Sequence, residues 1–528
     1  MSGTSGIYTF DESFFPELTK SLYSGLVSTS DRGEASTGTS VVDPTGEIDL
    51  FTGPGRADVA IPQKIIKKLS FCAIGHNRYA RELDQERMNN IQPVKLTTSD
   101  AYDRYECYIS ADSAFIPSFL DKLTKELEED GYKFSTLTGA EKIGALFLTH
   151  LKKTNDILES CEYTINKLHG GGGYSSTILL KDKNKGLDGI NLIALRDAYG
   201  VKPFCFGEKD ETYYLNSETY WLEKEGVEKI EEVKRGGGFV ISKNGIIPFQ
   251  VINLDPMLWR LCNFDPIYFG SAFTRIMFPL GPKFYELVKK LKYVNPEFYN
   301  KPTYYTTREC GGLAFPEIYP EVADLVDLFV PSPNSGLGVT EGLGIGYNKP
   351  AFLNAVKKSS AVGKTFLTRD EFWRKNIEVY VKFEVNPDIL KGKRSGVGED
   401  SIVRASVTKG DGHVSRRGGL IDQLRYVGQV LSMMVLSSYP PYAFNCVRYF
   451  GREEILAAQG LHKKNIKESN ERVEKIMGVP VRYQPLQNLY DIYGPRFCRG
   501  CADGVFPFID YKYIPDVTKR ILEKADVL

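Results

Sequence analysis

The chain changes texture near residue 250, and that change decides what it can fold into. Up to about Phe249, short β-rich runs such as NLIALRD and ISKNGIIPFQVI are separated by Gly-rich turns, with helical period in PSFLDKLTKELEED and EKIGALFLTHLKK. Such alternation predicts an α/β layered domain over residues 1–250. Residues 251–300 read as a connector with one helical stretch, KFYELVKKLK. Beyond it, ADLVDLFV runs into the turn PSPNSG, a helix follows, and LKGKRSGVGEDSIVRASV supplies a further strand and loop. Strand–helix alternation of this kind builds a parallel sheet whose C-terminal loops carry a ligand. That domain is placed at 301–465, and 466–528 is a C-terminal segment bearing a cysteine pair.

A chain of 528 residues has length for two or three domains with full cores. Lys plus Arg and Asp plus Glu each total 67, so no net charge argues for nucleic acid or an anionic membrane. The apolar runs fall short of the roughly 18 residues a spanning helix needs. The opening MSGTSGIYTF has neither a basic n-region nor an apolar h-region, so no cleavable presequence is expected. Nine cysteines are an odd count in a long chain. They argue against a disulfide scaffold and for a reducing compartment, the cytoplasm or the mitochondrial matrix.

Ordered motifs tie the chain to a known family. Ser2-Gly3-Thr4-Ser5-Gly6-Ile7, Asp31-Arg32-Gly33-Glu34, Gly75-His76-Asn77-Arg78-Tyr79, Arg196-Asp197 with Gly200, and Ser217-Glu218 resemble the glutaminase half of the glutamine phosphoribosylpyrophosphate amidotransferases. Phe264 to Phe269, Val330 to Gly336, Val362 to Phe366, and EDSIVRASV from Glu399 resemble the phosphoribosyltransferase half. The resemblance spans nearly the whole chain. It implies an N-terminal nucleophile hydrolase αββα sandwich over residues 1–250, followed by a type I phosphoribosyltransferase domain.

The implied glutaminase site is degenerate. The family's nucleophile is a cysteine whose own α-amine is the base; here the position is Ser2, and a retained Met1 would block that amine. Counting back from Leu120 puts Ala111 and Asp112 at the oxyanion-hole pair, and a carboxylate opposes an oxyanion. The acid that would hold the substrate's α-amine falls on Gly139, and a threonine falls on Arg81. Only Arg78 survives of the glutamine contacts, and packing is its better reading.

The implied transferase site is eroded. Glu399, Asp400 and Ser401 fit the pair of acids and the hydroxyl that grip a phosphoribosyl group, with Mg²⁺ accompanying the pyrophosphate. Arg404-Ala405-Ser406-Val407 departs from the family's Arg-Gly-Thr-Thr, Asn334 replaces an aspartate, and the lid around Lys364 lacks its arginine and tyrosine. The strand Ser395-Gly396-Val397-Gly398 is poor by propensity.

Cysteines match a further family feature. Cys262 precedes Phe264-Asp265, Cys446 follows Pro440-Pro441, and Cys498 and Cys501 form a C-x-x-C, the positions at which some members hold a four-iron four-sulfur cluster. Zinc at the same thiols, or plain buried thiols, are the alternatives. The expectation is therefore a non-catalytic relative, stabilised by the cluster and recruited as a structural or regulatory subunit of a homo-oligomer or larger assembly. The Gly- and Arg-rich stretch TKGDGHVSRRGG is a candidate docking loop, or simply a surface loop. The alternative function is an active, ammonia-dependent enzyme making phosphoribosylamine from phosphoribosylpyrophosphate. A purine-nucleotide sensor is a third reading.

Overall fold

The computed structural model describes residues 2–79, 89–96, 104–359, 381–403, 419–442, 444, 446 and 466–506. Of these, residues within 2–262 and 269–274 form one compact unit, and those within 263–268 and 275–506 form another.

Period-two runs give the first unit its sheets. The strands are β1 (Gly3–Thr9), β2 (Ser36–Val42), β3 (Ile48–Pro54), β4 (Cys72–Arg78), β5 (Val94–Leu96), β6 (Tyr105–Phe115), β7 (Gly172–Asp182), β8 (Ile190–Arg196), β9 (Cys205–Lys209), β10 (Thr212–Asn216), β11 (Ile230–Glu232), β12 (Gly237–Ser242) and β13 (Gly245–Gln250). They pair in the orders β11-β9-β10-β1-β4-β2-β3 and β13-β12-β8-β7-β6-β5. Alternation decides the layers. Ile178 and Leu180 of β7, with Ile193 and Leu195 of β8, pack under helices α2 (Pro117–Glu129), α3 (Gly139–Thr154) and α4 (Ile157–Leu168). Their neighbours Leu179, Leu192 and Ala194 turn to the other sheet and meet Tyr8, Ile74 and Leu215. Helix α1 (Phe15–Ser28) lies on β1 and β4. The result is the expected αββα sandwich.

In the second unit, β14 (Leu328–Pro331), β17 (Arg394–Glu399), β18 (Ser432–Ser437) and β19 (Val481–Tyr483) form a parallel sheet in that order. An antiparallel ribbon, β15 (Val356–Lys358) with β16 (Phe383–Val385), is a separate two-stranded sheet whose Val356 and Phe383 pack into the same core. Val330, Val397, Val435 and Val481 fill one face, and Phe329, Met434 and Leu436 the other. Helices α5 (Tyr304–Leu313) and α6 (Gly336–Tyr347) pack together.

The glycine-rich run Ser395–Gly398, weak by propensity, is an interior strand of the sheet, between β14 and β18. Packing explains it: a Cβ on Gly396 would lie 2.5 Å from the Phe329 ring, and one on Gly398 2.2 Å from Thr340 Oγ1. Close approach selects glycine where propensity argues against it. No helix among the described residues is long and apolar enough to cross a membrane.

Candidate functional site

The first unit gathers its motif residues at the ends of β1, β4, β6 and β8. Asp197 folds the turn after β8, accepting from the backbone N–H groups of Tyr199 (3.0 Å) and Val201 (3.0 Å) while Gly200 takes a positive φ of 63°. Arg196 braces the same turn by donating Nε to Lys202 O at 3.0 Å. The turn thereby delivers Lys202 to the interior, where Nζ donates to Asp112 Oδ1 at 2.7 Å. Arg32 completes the group through Nη2 to Asp112 Oδ2 (3.4 Å) and Nη1 to Glu218 Oε1 (3.2 Å). All four side chains are buried. Glu218 also accepts from Ser271 N and Thr274 Oγ1.

Two acids and two bases are thus paired out of solvent. Burial raises the Asp112 carboxyl, but the surrounding positive charge, that of Lys202 first, outweighs burial and holds it down to about 2. Asp112 is thus a carboxylate, which accepts and cannot donate. The Ala111 N–H is spent on Gln92 Oε1 at 2.8 Å. The Asp112 side chain therefore offers no donor, and the Ala111 N–H is already taken.

Ser2 sits beside this network, held through Arg32 Nε to its carbonyl (2.9 Å) and Tyr79 N to its Oγ (3.2 Å). Arg78 is buried and donates Nη1 to Asn90 O, whose side chain in turn accepts from Leu137 N at 2.8 Å. At Gly139 a Cβ would already be 2.5 Å from Ser113 Oγ. A side chain there would require Ser113 to move. The nearest replacement in sequence, Glu141, is consumed by Ser135 and Thr136. Arg81 lies outside the described residues.

In the second unit the loops after three parallel strands converge. Ser332 N donates to Gly398 O (2.9 Å), and Ser438 N to Glu399 O (2.9 Å). Ser335 Oγ donates to Asp400 Oδ2, Ser401 Oγ to Asp400 Oδ1 at 2.6 Å, and Ser438 Oγ to Asp400 O at 3.2 Å. Glu399, Asp400 and Ser401 therefore stand at the C-terminal edge of the sheet, where open α/β sheets bind ligands. Burial raises the Asp400 carboxyl above its usual range; hydrogen bonds from Ser335 and Ser401 and the charges of Arg308 and Lys382 act the other way. Sequence reasoning missed Ser335, Ser438, Arg308 and Lys382. Only Arg308 left a signal, a charged pair with Glu309 inside a buried, Gly-containing helix. Lys364, Arg404, Ser406 and nearly all of TKGDGHVSRRGG lie outside the described residues.

Cys262, Cys446, Cys498 and Cys501 are half-buried, whereas the other five cysteines are fully buried. Within the second unit, Asn263 N donates to Cys498 O (3.1 Å) and Phe444 N to Cys501 O (3.0 Å). These bonds hold the chain just after Cys262 and just before Cys446 against the C-x-x-C segment. The Cys501 thiol lies 2.9 Å from the Tyr439 hydroxyl. Among the described residues, no three His, Cys, Asp or Glu side chains converge as a ready-made metal site.

No protein-family profile matches the chain. It is 26% identical to the amidophosphoribosyltransferase of Methanocaldococcus jannaschii, over 96% of this chain and 98% of that one. Against the Synechocystis amidophosphoribosyltransferase it is 25% identical over 98% and 92% of the two chains. The chain is a distant relative of the amidophosphoribosyltransferases. Solved structures agree on the fold of these relatives. The Bacillus subtilis glutamine phosphoribosylpyrophosphate amidotransferase, complexed with ADP and GMP, superposes with a TM-score of 0.71 at 21% identity, over 96% and 97% of the chains. A structure described as the allosteric regulatory enzyme of purine biosynthesis gives 0.73 at 20%, over 98% of both.

Proposed function

We propose that this chain is an ammonia-dependent amidophosphoribosyltransferase whose first unit no longer hydrolyses glutamine. The observation that carries the reading is the placement of Glu399 and Asp400 at the convergent loop edge of the parallel sheet. Two adjacent acids there accept hydrogen bonds from the ribose hydroxyls of phosphoribosylpyrophosphate, and Ser401 with the following turn receives the 5′-phosphate. Ammonia attacks the anomeric carbon as its bond to pyrophosphate breaks; a C–N bond forms and the new ammonium loses a proton to water. Mg²⁺ bound with the pyrophosphate would neutralise charge on the leaving group.

The sequence alone favours a non-catalytic relative. End-to-end likeness to relatives named as enzymes, together with the intact Glu399–Asp400 edge, moves the proposal to the transferase. One observation favours the non-catalytic reading: both Asp400 oxygens are already engaged by Ser335 and Ser401. Pyrophosphate release from phosphoribosylpyrophosphate, with ammonia as sole nitrogen source, separates the two. Release supports the transferase, and its absence at millimolar substrate supports a structural or regulatory subunit.

The proposal includes a four-iron four-sulfur cluster on Cys262, Cys446, Cys498 and Cys501. What supports it is the sequence pattern of the four cysteines and the two backbone hydrogen bonds beside the C-x-x-C; among the described residues the four thiols do not stand together as a preformed metal site. The cluster would cross-link segments distant in sequence and add its binding energy to folding. Iron and acid-labile sulfide near four each in anaerobically purified protein is the expected result; zinc alone would replace it.

A further inference from the structure

Asp400 lies at the loop edge of the parallel sheet, yet solvent barely reaches it: 2% of the residue is exposed. Each carboxylate oxygen already accepts from a serine, Oδ2 from Ser335 Oγ and Oδ1 from Ser401 Oγ at 2.6 Å. Both serines are half-buried, so they cover a carboxylate less exposed than themselves. A ligand hydroxyl reaches such an acceptor only where a protein donor gives way.

The two serines are held differently. Ser401 is the next residue along the chain from Asp400 and stays with it. Ser335 comes from the loop after β14 and opens helix α6, but its side chain makes no capping hydrogen bond there, although serine at that position ordinarily does. The hydroxyl is turned to Asp400 instead. The backbone beneath it is fixed. Ser332 N donates to Gly398 O at 2.9 Å, Gly336 N to Ser332 O at 3.0 Å and Leu337 N to Asn334 O at 3.2 Å. A Cβ on Gly336 would stand 2.5 Å from Gly398 O, so the start of α6 lies directly on the end of β17. The loop cannot draw back without breaking these contacts, whereas rotation about the Ser335 Cα–Cβ bond carries the hydroxyl to another staggered position.

We infer that the Ser335 hydroxyl is an internal competitor at the phosphoribosyl site: it holds the Asp400 oxygen that a ribose hydroxyl takes, and rotates away when the sugar binds. The inference rests on the transferase reading. Ser335 keeps a buried carboxylate satisfied before substrate arrives, and one hydrogen bond to a charged group is lost as another forms. Affinity is therefore lower than Glu399 and Asp400 alone would give.

Calorimetric titration with phosphoribosylpyrophosphate and Mg²⁺ tests it. Ser335→Ala should bind about tenfold more tightly than wild type, because the sugar then satisfies an oxygen that has lost its serine. Ser335→Thr, which keeps the hydroxyl, should bind like wild type. If wild type binds and Ser335→Ala binds no more tightly, the inference is overturned and the transferase reading stands. A gain in Ser335→Thr as large as that in Ser335→Ala overturns it as well. Urea unfolding is the second measurement: without substrate Ser335→Ala should unfold at a lower midpoint than wild type, and saturating substrate should narrow the gap. Equal midpoints without substrate overturn the inference. If only Ser335→Ala binds, both readings are supported; if neither protein binds at millimolar substrate, the transferase reading fails and the inference falls with it.

Discussion

Lys202 places its ammonium 2.7 Å from Asp112 Oδ1, with both side chains withdrawn from solvent. Asp112 is one of the two positions that the sequence resemblance assigns to an oxyanion hole, and its other carboxylate oxygen is met by Arg32. Breaking one partner of a buried pair leaves the other uncompensated. Lys202→Met should therefore cost about 3 to 5 kcal/mol of stability, read from the midpoint of a urea transition.

The same carboxylate gives an acid dependence. Asp112 is held at about 2 in the folded protein, below the unfolded value of about 3.9. A depressed carboxyl stabilises above its unfolded pKa and loses that contribution as pH falls through the folded value. Melting temperature should drop between pH 4 and pH 2 more steeply in wild type than in Asp112→Asn, whose baseline stability is lower throughout.

Glu309 has the opposite sign. Burial first, and the charge of Glu341 second, raise it to about 7, against a lowering hydrogen bond from the Tyr293 hydroxyl. Between the unfolded pKa and about 7 the folded state binds more protons, so this group withdraws stability as pH rises. Glu309→Gln should be nearly neutral at pH 5 and stabilising at pH 8, by on the order of 3 kcal/mol. Thermal melts at the two pH values check it.

The backbone contact between α5 and α6 leaves no space. With Cβ only 2.0 Å from Glu309 O, Gly342→Ala must push the helices apart. A loss on the order of 3 kcal/mol is expected by chemical denaturation.

If the four cysteines hold a cluster, Cys498→Ser should lower bound iron at least severalfold and bleach the sulfide-to-iron absorption, whereas Cys310→Ser, at a buried thiol remote from the motif, should keep both. Equal iron in the two variants would contradict the assignment.

Much of the fold is legible in the sequence because period-two runs sort themselves into layers: in NLIALRD, alternate residues of one strand face opposite sides. The second domain's ligand edge is legible from Glu399-Asp400 following a strand. What is not legible is why the strand Ser395–Gly398 carries glycines: they answer to the Phe329 ring and Thr340, partners that propensity does not include. Nor is the charge network: Lys202 and Asp112 lie 90 residues apart, and only the turn built by Arg196 and Asp197 brings them together. Asp112 alone reads as a lost donor, whereas the structure makes it one half of a buried pair.

The most direct measurement is phosphoribosylpyrophosphate consumption by anaerobically purified protein, with glutamine and with ammonia supplied separately. The account predicts pyrophosphate release with ammonia and none above background with glutamine. Turnover supported by glutamine would contradict it, because the Asp112–Lys202 network would then have to stand within a working glutaminase.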